Sequence, residues 1–154
     1  MDKEKVKTII EDIFKHTSCT ISKIEMSDED GMLWCMIDTP DSRFMIGRDG
    51  ETLRSLNHLV RKILEKDADS PEENSRIFID INGYQKKRYD NLKNIAHMMA
   101  ERAKYFKSNI EIDPMPANER RIIHMFLEKI PDIKTESEGY GPHRRVVIKY
   151  IGNI

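Results

Sequence analysis

The chain has 154 residues, of which 38% are hydrophobic and 34% are charged, proportions typical of a folded globular protein rather than a disordered one. Lysine and arginine total 26 against 27 aspartate and glutamate residues, so the net charge of −1 excludes a global attraction to polyanions. Any nucleic-acid site must therefore be a local cationic patch.

The sequence has no apolar run that approaches the roughly 18 residues of a membrane-spanning helix. Its amino terminus is charged at residues 2–5 and lacks the apolar segment of a secretory signal. A cytoplasmic location is therefore expected. Cys19 and Cys35 show no metal-ligand spacing, and we predict that both are packing residues in a reducing compartment.

The first half of the chain predicts the order helix, strand, strand, helix, helix, strand. Apolar residues recur at helical spacing over 3–15. Strands at 21–26 and 32–37 flank a polar loop, 27–31, whose Asp-Gly pair favours a hairpin. A helical turn at 41–46, a Gly-x-x-Gly loop, a helix at 51–65, a polar linker at 67–74 and a strand at 77–81 follow. The helix at 51–65 has a predicted buried stripe of Leu53, Leu56, Leu59, Val60, Ile63 and Leu64.

The second half predicts the order helix, strand, helix, strand, strand. A long helix over 84–106 carries Leu92, Ile95, Ala96, Met99, Ala103 and Phe106 on one face. A strand at 110–112, a helix at 116–130 and strands at 133–137 and 145–151 follow. The predicted fold class is α+β with two small domains, residues 1–83 (αββααβ) and 84–154 (αβαββ).

The loop Gly47-Arg48-Asp49-Gly50 is a candidate phosphate-binding segment. Glycine allows a ligand close to the backbone, and the helix that begins near residue 51 directs its positive dipole end at the loop. Arg48 would hold a phosphate. Asp49 has two alternatives that the sequence leaves open: its carboxylate either repels the phosphate or caps the following helix.

The segment Asn118–His124 places Arg120 and His124 four residues apart, and therefore on one face of a helix. The apolar residues Ile122, Ile123, Phe126, Leu127 and Ile130 fall mostly on the other side. We predict that this face packs on a core while Arg120 and His124 face outward, where they suit a phosphate better than catalysis. An ordinary solvated polar face is the alternative.

The first half resembles a KH domain of the prokaryotic type, in its order of elements and in the apolar residues Ile46, Leu53 and Leu56 around the Gly-x-x-Gly loop. The segments Ile112–Met115, Glu119–His124, Thr135–Gly139 and Pro142–Ile148 are similar to the Arg-x-x-x-His domain called R-three-H. This pairing, joined at Ile81-Asn82-Gly83-Tyr84, resembles the bacterial Jag (SpoIIIJ-associated) family.

The resemblance implies a cytoplasmic protein that binds single-stranded RNA, or single-stranded DNA, and that is linked to cell elongation or division. It also implies a small single-KH partner protein, and a homodimer is left open. The separate amino-terminal domain of many members has no counterpart in the sequence, so a role carried by that domain is not expected. No cofactor, metal or catalytic residue is implied.

Several other residues are candidate RNA contacts. Arg43 and Arg54 would lie at the rim of the first site or simply be solvated. Arg121, Arg144 and Arg145 would widen the patch around Arg120, although strand alternation allows only one of the last two to line it. Tyr84, Tyr140 and Tyr150 would stack on bases or pack their rings, and Trp34 is predicted to be a core residue.

Two other classes of function are weighed against RNA binding. An enzyme is disfavoured, because the five histidines are scattered and the sequence shows no nucleophile motif or Walker-type phosphate loop. A protein-interaction scaffold that binds RNA weakly or not at all is the main alternative, motivated by the near-zero net charge and by Asp49.

Overall fold

The computed structural model describes residues 2–66 and 76–153. The chain divides into two compact units, Met1–Lys86 and Lys87–Ile154, called here the first and second unit. The predicted linker at 67–74 lies outside the described residues. Both units combine helices with a three-stranded sheet, so the predicted α+β class is confirmed, while the assignment of domains to 1–83 and 84–154 stays a prediction.

The first unit has the predicted order of elements. Helix α1 (Lys3–Lys15) is followed by strands β1 (Lys23–Glu29) and β2 (Met32–Asp38), helix α2 (Ser42–Ile46), a 3₁₀ turn (Arg48–Gly50), helix α3 (Glu51–Glu65) and strand β3 (Ile77–Ile81). Asp2 caps α1 by accepting hydrogen bonds from the backbone N–H groups of Glu4 and Lys5.

The sheet of the first unit has the order β1-β2-β3, with β1 antiparallel and β3 parallel to the central strand. Residues 27–31 do not form the predicted loop: β1 continues to Glu29, and only Asp30 and Gly31 make the turn, with φ of 52° and 74°. Two consecutive positive φ values match the right-handed twist of a hairpin, which explains the tight connection.

The core of the first unit lies between one face of the sheet and helices α1 and α3. Val6, Ile10 and Phe14 bury the inner face of α1 at the expected helical spacing. From the stripe predicted on α3, Leu53, Leu56, Val60 and Leu64 are buried, but Leu59 is 46% exposed and that prediction is wrong. Cys35 is buried in this core, Cys19 packs against it, and burial raises the pKa of the Cys35 thiol to about 12.

Helix α3 also covers the outer edge of β3. Asn57, which is buried where the periodicity left it unassigned, donates to Ile79 O at 2.9 Å and accepts from Ile79 N at 2.8 Å. Arg61 donates from Nε and Nη2 to Ile77 O. These bonds satisfy backbone groups that an edge strand would otherwise expose.

The outer face of the same sheet carries aromatic residues. Trp34 is buried, as predicted, and stacks on Phe78 with ring centroids 5.1 Å apart. The Lys86 ammonium lies over the Trp34 ring, and the Arg61 guanidinium lies over Phe78.

The second unit contains most of helix α4 (Tyr84–Phe106), strand β4 (Ile110–Glu111), helix α5 (Ala117–Leu127), strand β5 (Ile133–Glu138), a 3₁₀ turn (Gly141–His143) and strand β6 (Arg145–Tyr150). Its antiparallel sheet has the order β4-β6-β5. Leu92, Ala96 and Ala103 are buried as predicted, but Phe106 is 61% exposed because the helix ends beyond the edge of the core. Among the described residues, every helix is too short or too polar to cross a membrane.

Candidate nucleic-acid interface

The backbone of Gly47–Gly50, called here the glycine loop, has a shape that depends on glycine at both ends. Gly47 and Gly50 have φ of 73° and 76°. A Cβ built on Gly47 would lie 2.1 Å from Thr52 Oγ1, and one built on Gly50 would lie 3.0 Å from the Tyr84 ring. Both the dihedral angle and the lack of space therefore exclude a side chain at Gly47.

The tip of the glycine loop is open to solvent. Arg48 and Asp49 are exposed, whereas Gly50 is buried beneath Tyr84. Helix α3 begins at Glu51, directly behind the tip, and its N-cap is Gly50, which receives no side-chain cap. The helix dipole and the first backbone N–H groups therefore point toward an exposed arginine.

Asp49 does not cap α3, so that alternative for its carboxylate is wrong. It occupies the left-handed region with φ of 50° and ψ of 29°, which short polar residues tolerate better than others. Its backbone oxygen accepts a 2.8 Å hydrogen bond from Arg54 Nη1. Arg54 is thus a residue that fixes the loop conformation rather than a freely solvated rim residue.

Two aromatic side chains flank the glycine loop. Tyr84, the first residue of α4, covers Gly50 and is still 47% exposed. Phe44 on α2 is 72% exposed and was missed in the sequence. The available signal was an aromatic residue three positions before the first glycine of the loop. Arg43, its neighbour, is exposed on α2.

In the second unit, α5 presents Arg120 and His124 at a half-buried position. Ile123 and Leu127 are buried beneath the helix, as predicted. Arg120 Nε donates to Met115 O at 3.2 Å. His124 is not the outward-facing group that the spacing predicted, because its ring is turned toward β5.

Both ring nitrogens of His124 are engaged by hydroxyl groups of β5. Nδ1 lies 2.6 Å from Thr135 Oγ1, and Nε2 lies 2.9 Å from Ser137 Oγ. Partial burial and, to a lesser degree, the neighbouring Arg120 guanidinium lower the pKa of His124 below its usual 6.5. The neutral imidazole therefore dominates at pH 7 and above, so His124 does not add positive charge there.

Thr135 and Ser137 were missed as candidate site residues. Their Thr-x-Ser spacing places them on one face of a strand, and this spacing follows the Arg-x-x-x-His helix in the sequence. That alternation was the available signal. It did not show that the strand would pass directly under His124.

A groove of about 390 Å³ opens beside His124, between α5 and β5. We call it the His124 groove. Its polar and charged lining residues are Arg121, His124, Glu128, Lys134 and Thr135. Lys134 is also ion-paired with Glu136, so Arg121 is the lining cation whose charge is opposed, among the described lining residues, by Glu128 alone.

Arg144 and Arg145 do not join this groove. Arg144 Nη1 donates to Gly139 O at 2.8 Å. Arg145 forms a two-bond ion pair with Glu111, which raises the pKa of Arg145 and lowers that of Glu111. Arg145 alternates with the core residue Val146 and lies on the outer sheet face, opposite Thr135 and Ser137, so it does not widen the patch around Arg120 as predicted.

That outer face is a ladder of paired charges. Lys149 binds both Glu136 and Glu138, and Lys134 also binds Glu136. The pKa of Glu136 is lowered by these ammonium groups. The tyrosines differ: Tyr140 is 90% exposed, whereas the Tyr150 hydroxyl donates to Asn153 O.

Within residues 2–66 and 76–153, no group of three or more histidine, cysteine, aspartate or glutamate side chains is arranged to hold a metal ion. The chemistry that both sites offer is binding through arginine, hydroxyl and backbone N–H donors.

Comparison with known proteins gives two kinds of match. Residues 90–150 match the family described as the R-three-H domain. The chain is 28% identical over 146 residues to the RNA-binding protein KhpB of Clostridium symbiosum, which covers 94% of this chain and 64% of that protein. It is 33% identical over 108 residues to the protein of the same name in Bacillus subtilis (strain 168), and the match covers 69% of this chain and 50% of that protein.

A third relative, also named RNA-binding protein KhpB, comes from Lactiplantibacillus plantarum and is 31% identical over 111 residues, covering 72% of this chain and 34% of that protein. The similarity thus includes Arg120 and His124 and extends well into the first unit. The chain belongs to the Jag family. It spans between 34% and 64% of the length of these three Jag-family relatives, so functions of their remaining residues are not assigned to it.

Proposed function

We propose that this chain is a noncatalytic protein that binds single-stranded RNA through both of its units. The observation that carries the proposal is the glycine loop, in which exposed Arg48 lies at the uncapped amino terminus of α3. The three relatives are all named as RNA-binding proteins, which supports the proposal. Single-stranded DNA, which has the same phosphate chemistry, is a second candidate ligand.

In the first unit, proposed as a KH domain over residues 1–83, the sugar-phosphate backbone would lie across the glycine loop. The absence of a Cβ at Gly47 permits close approach, and about four nucleotides is the usual span of such a loop. Arg48 would pair with a phosphate, Arg43 would lie at the rim, and Arg54 would hold the loop in shape through Asp49 O.

In the second unit, proposed as an R-three-H domain over residues 84–154, the strand would enter the His124 groove. Arg121 and Lys134 line it, and Arg120 lies close enough to His124 to lower the pKa of that residue. Arg120 and Arg121 would hold phosphates, with a smaller contribution from Lys134 because it is already paired with Glu136, and Thr135 and Ser137 would supply neutral contacts. Tyr84, Phe44 and Tyr140 are the exposed rings available for base stacking.

We also propose the setting that the family resemblance implies: a cytoplasmic post-transcriptional regulator linked to cell elongation or division, with a small single-KH partner protein or a second copy of the chain. Pull-down of tagged protein from crosslinked cells, followed by sequencing of the attached RNA, tests this proposal. Recovery of no RNA above that recovered with Arg48→Asp would contradict it.

A salt titration tests RNA binding itself. About four phosphate contacts predict a slope near −3 in a plot of log affinity against log salt for a single strand. Arg48→Asp should reduce affinity at least tenfold, because it reverses a charge at the loop tip, while leaving the melting temperature nearly unchanged since Arg48 is exposed. Equal affinity of the variant would remove the loop from the site.

A protein-interaction scaffold is the second candidate, favoured by one observation. Lys134, Arg145 and Lys149 in the second unit are already paired with glutamates and give no net positive face. A scaffold of this kind would show no RNA binding even at low salt, which separates the two candidates.

A further inference from the structure

The two hydroxyl groups that contact His124 are made chemically unlike by that contact. A neutral imidazole has one N–H donor and one bare nitrogen acceptor. The hydroxyl facing the N–H must accept, so its own hydrogen is free to donate onward. The hydroxyl facing the bare nitrogen must donate, so it offers only its oxygen lone pairs onward.

This difference does not depend on the tautomer of His124. If Nδ1 carries the hydrogen, Thr135 becomes the onward donor and Ser137 the onward acceptor, and the other tautomer exchanges the two roles. In either case the strand β5 presents one hydroxyl of each kind. Both residues are half-buried rather than sealed, and Thr135 lines the His124 groove.

A nucleic-acid backbone can match such a pair only if it contains both an acceptor and a donor. Phosphate oxygens accept, and they occur in RNA and DNA alike. The backbone of DNA contains no hydrogen-bond donor, whereas the 2′-hydroxyl of RNA both donates and accepts. The two hydroxyls contact different ring nitrogens and lie two residues apart on one face of β5, so they would contact two different groups of the nucleic-acid strand.

We propose that His124 is a positioning residue that polarises Thr135 and Ser137, so that one hydroxyl donates to a phosphate and the other accepts from a ribose 2′-hydroxyl. This inference rests on the proposed function and deepens it, because it assigns the preference for RNA over single-stranded DNA to this part of the second unit. Arg121 holds the strand without distinguishing the sugars, since it donates to phosphates.

The experiment measures the affinity of the full chain for three single strands of one sequence, about 12 nucleotides long, several times the span of one KH loop. One strand is RNA, one is DNA with deoxyuridine in place of uridine, and one is 2′-fluoro RNA, which keeps an RNA-like sugar shape without the hydroxyl. RNA should bind about five to ten times more tightly than either other strand, the factor that one net hydrogen bond supplies.

The variants Thr135→Val and Ser137→Ala should behave differently from each other. One of them should lose the preference for RNA, and the other should bind all three strands more weakly by a similar factor. Thr135→Ser and Ser137→Thr keep both hydroxyls and should retain the wild-type ratio. They also serve as controls if the first two variants fold poorly. Arg121→Gln should weaken binding to RNA and DNA alike without changing their ratio.

The role of the two hydroxyls and RNA binding itself can fail separately. If the wild-type chain binds no strand at low salt, the proposed function fails. If it binds all three strands equally, or if both Thr135→Val and Ser137→Ala keep the full RNA preference, RNA binding stands and the role of the two hydroxyls is overturned.

Discussion

The glycine loop and the His124 groove each combine an arginine with a helix, Arg48 with α3 and Arg121 with α5, but the two sites are held in shape by different means. In the loop the constraint is backbone conformation, since Gly47, Asp49 and Gly50 all have positive φ. In the groove the constraint is a set of side-chain hydrogen bonds between α5 and β5. Because the backbone holds the loop in shape, the Arg48 side chain stays exposed for a ligand. In the groove, the hydrogen bonds of His124 hold the helix on the strand, so this residue has a structural role where a ligand contact was predicted.

The largest effect is expected at Gly47. Gly47→Ala should abolish detectable binding by the loop and reduce stability by about 1–3 kcal/mol, because the new methyl would meet Thr52 at a positive φ. Gly31→Ala is the matched control: its φ is 74°, close to the 73° of Gly47, but nothing lies within 4 Å of the added carbon. Urea unfolding and RNA titration of both variants check this prediction.

If the two alanine variants lose equal stability and equal RNA affinity, the close approach of Thr52 is irrelevant and only backbone strain matters.

The double variant Arg120→Ala with His124→Ala tests the second unit. It should weaken RNA binding less than Arg48→Asp does. It should also reduce stability by about 1–2 kcal/mol, because Thr135, Ser137 and Met115 O lose their partners at half-buried positions. Thermal unfolding and fluorescence anisotropy measure the two effects. A larger loss of binding than with Arg48→Asp would reverse the ranking of the two sites.

Acidification should reduce the stability of the second unit through His124. The pKa of His124 is lowered on folding, so the unfolded chain takes up the proton more readily. Its contribution to stability is therefore complete above the unfolded pKa of about 6.5 and is lost as pH falls through that value toward the lower folded one. Urea midpoints at about pH 7.5 and 5.5 should differ more for wild type than for His124→Gln. An equal change in urea midpoint for the two proteins would show that groups other than His124 cause the pH dependence.

The smallest effect is expected at Arg145. Its side chain lies on the outer face of the sheet in an ion pair with Glu111, away from the His124 groove. Arg145→Ala should leave RNA affinity within about twofold of wild type and change the melting temperature little, since exposed ion pairs contribute weakly. A large loss of affinity would mean that RNA reaches the outer face.

Most elements follow from local pattern, because apolar periodicity records which face of a helix or strand is buried. Leu59 and Phe106 were misplaced because periodicity gives the direction of a core but not its width or where it ends. Residues 27–31 were predicted as a polar loop, yet β1 continues to Glu29 because pairing of β1 with β2 outweighs the polarity of Ser27, Asp28 and Glu29.

The candidate site was less predictable than the fold. The Gly-x-x-Gly loop and the Arg-x-x-x-His helix are contiguous in sequence, so their residues could be named in advance. Pairing of Arg145 with Glu111 joins residues 34 apart, and the contacts of His124 with Thr135 and Ser137 depend on how a helix docks on a strand. Such contacts are set by tertiary packing, which local pattern does not record.

The side chains of Asn57 and Arg61 along β3 have a consequence for how the first unit can assemble with other chains. Asn57 and Arg61 form four hydrogen bonds with the backbone of Ile77 and Ile79. An extended peptide or a second copy of the chain could pair with β3 only by displacing them. Strand addition, and the fibrous growth that it can start, is therefore directed away from β3 and toward β1 at the other edge of the sheet.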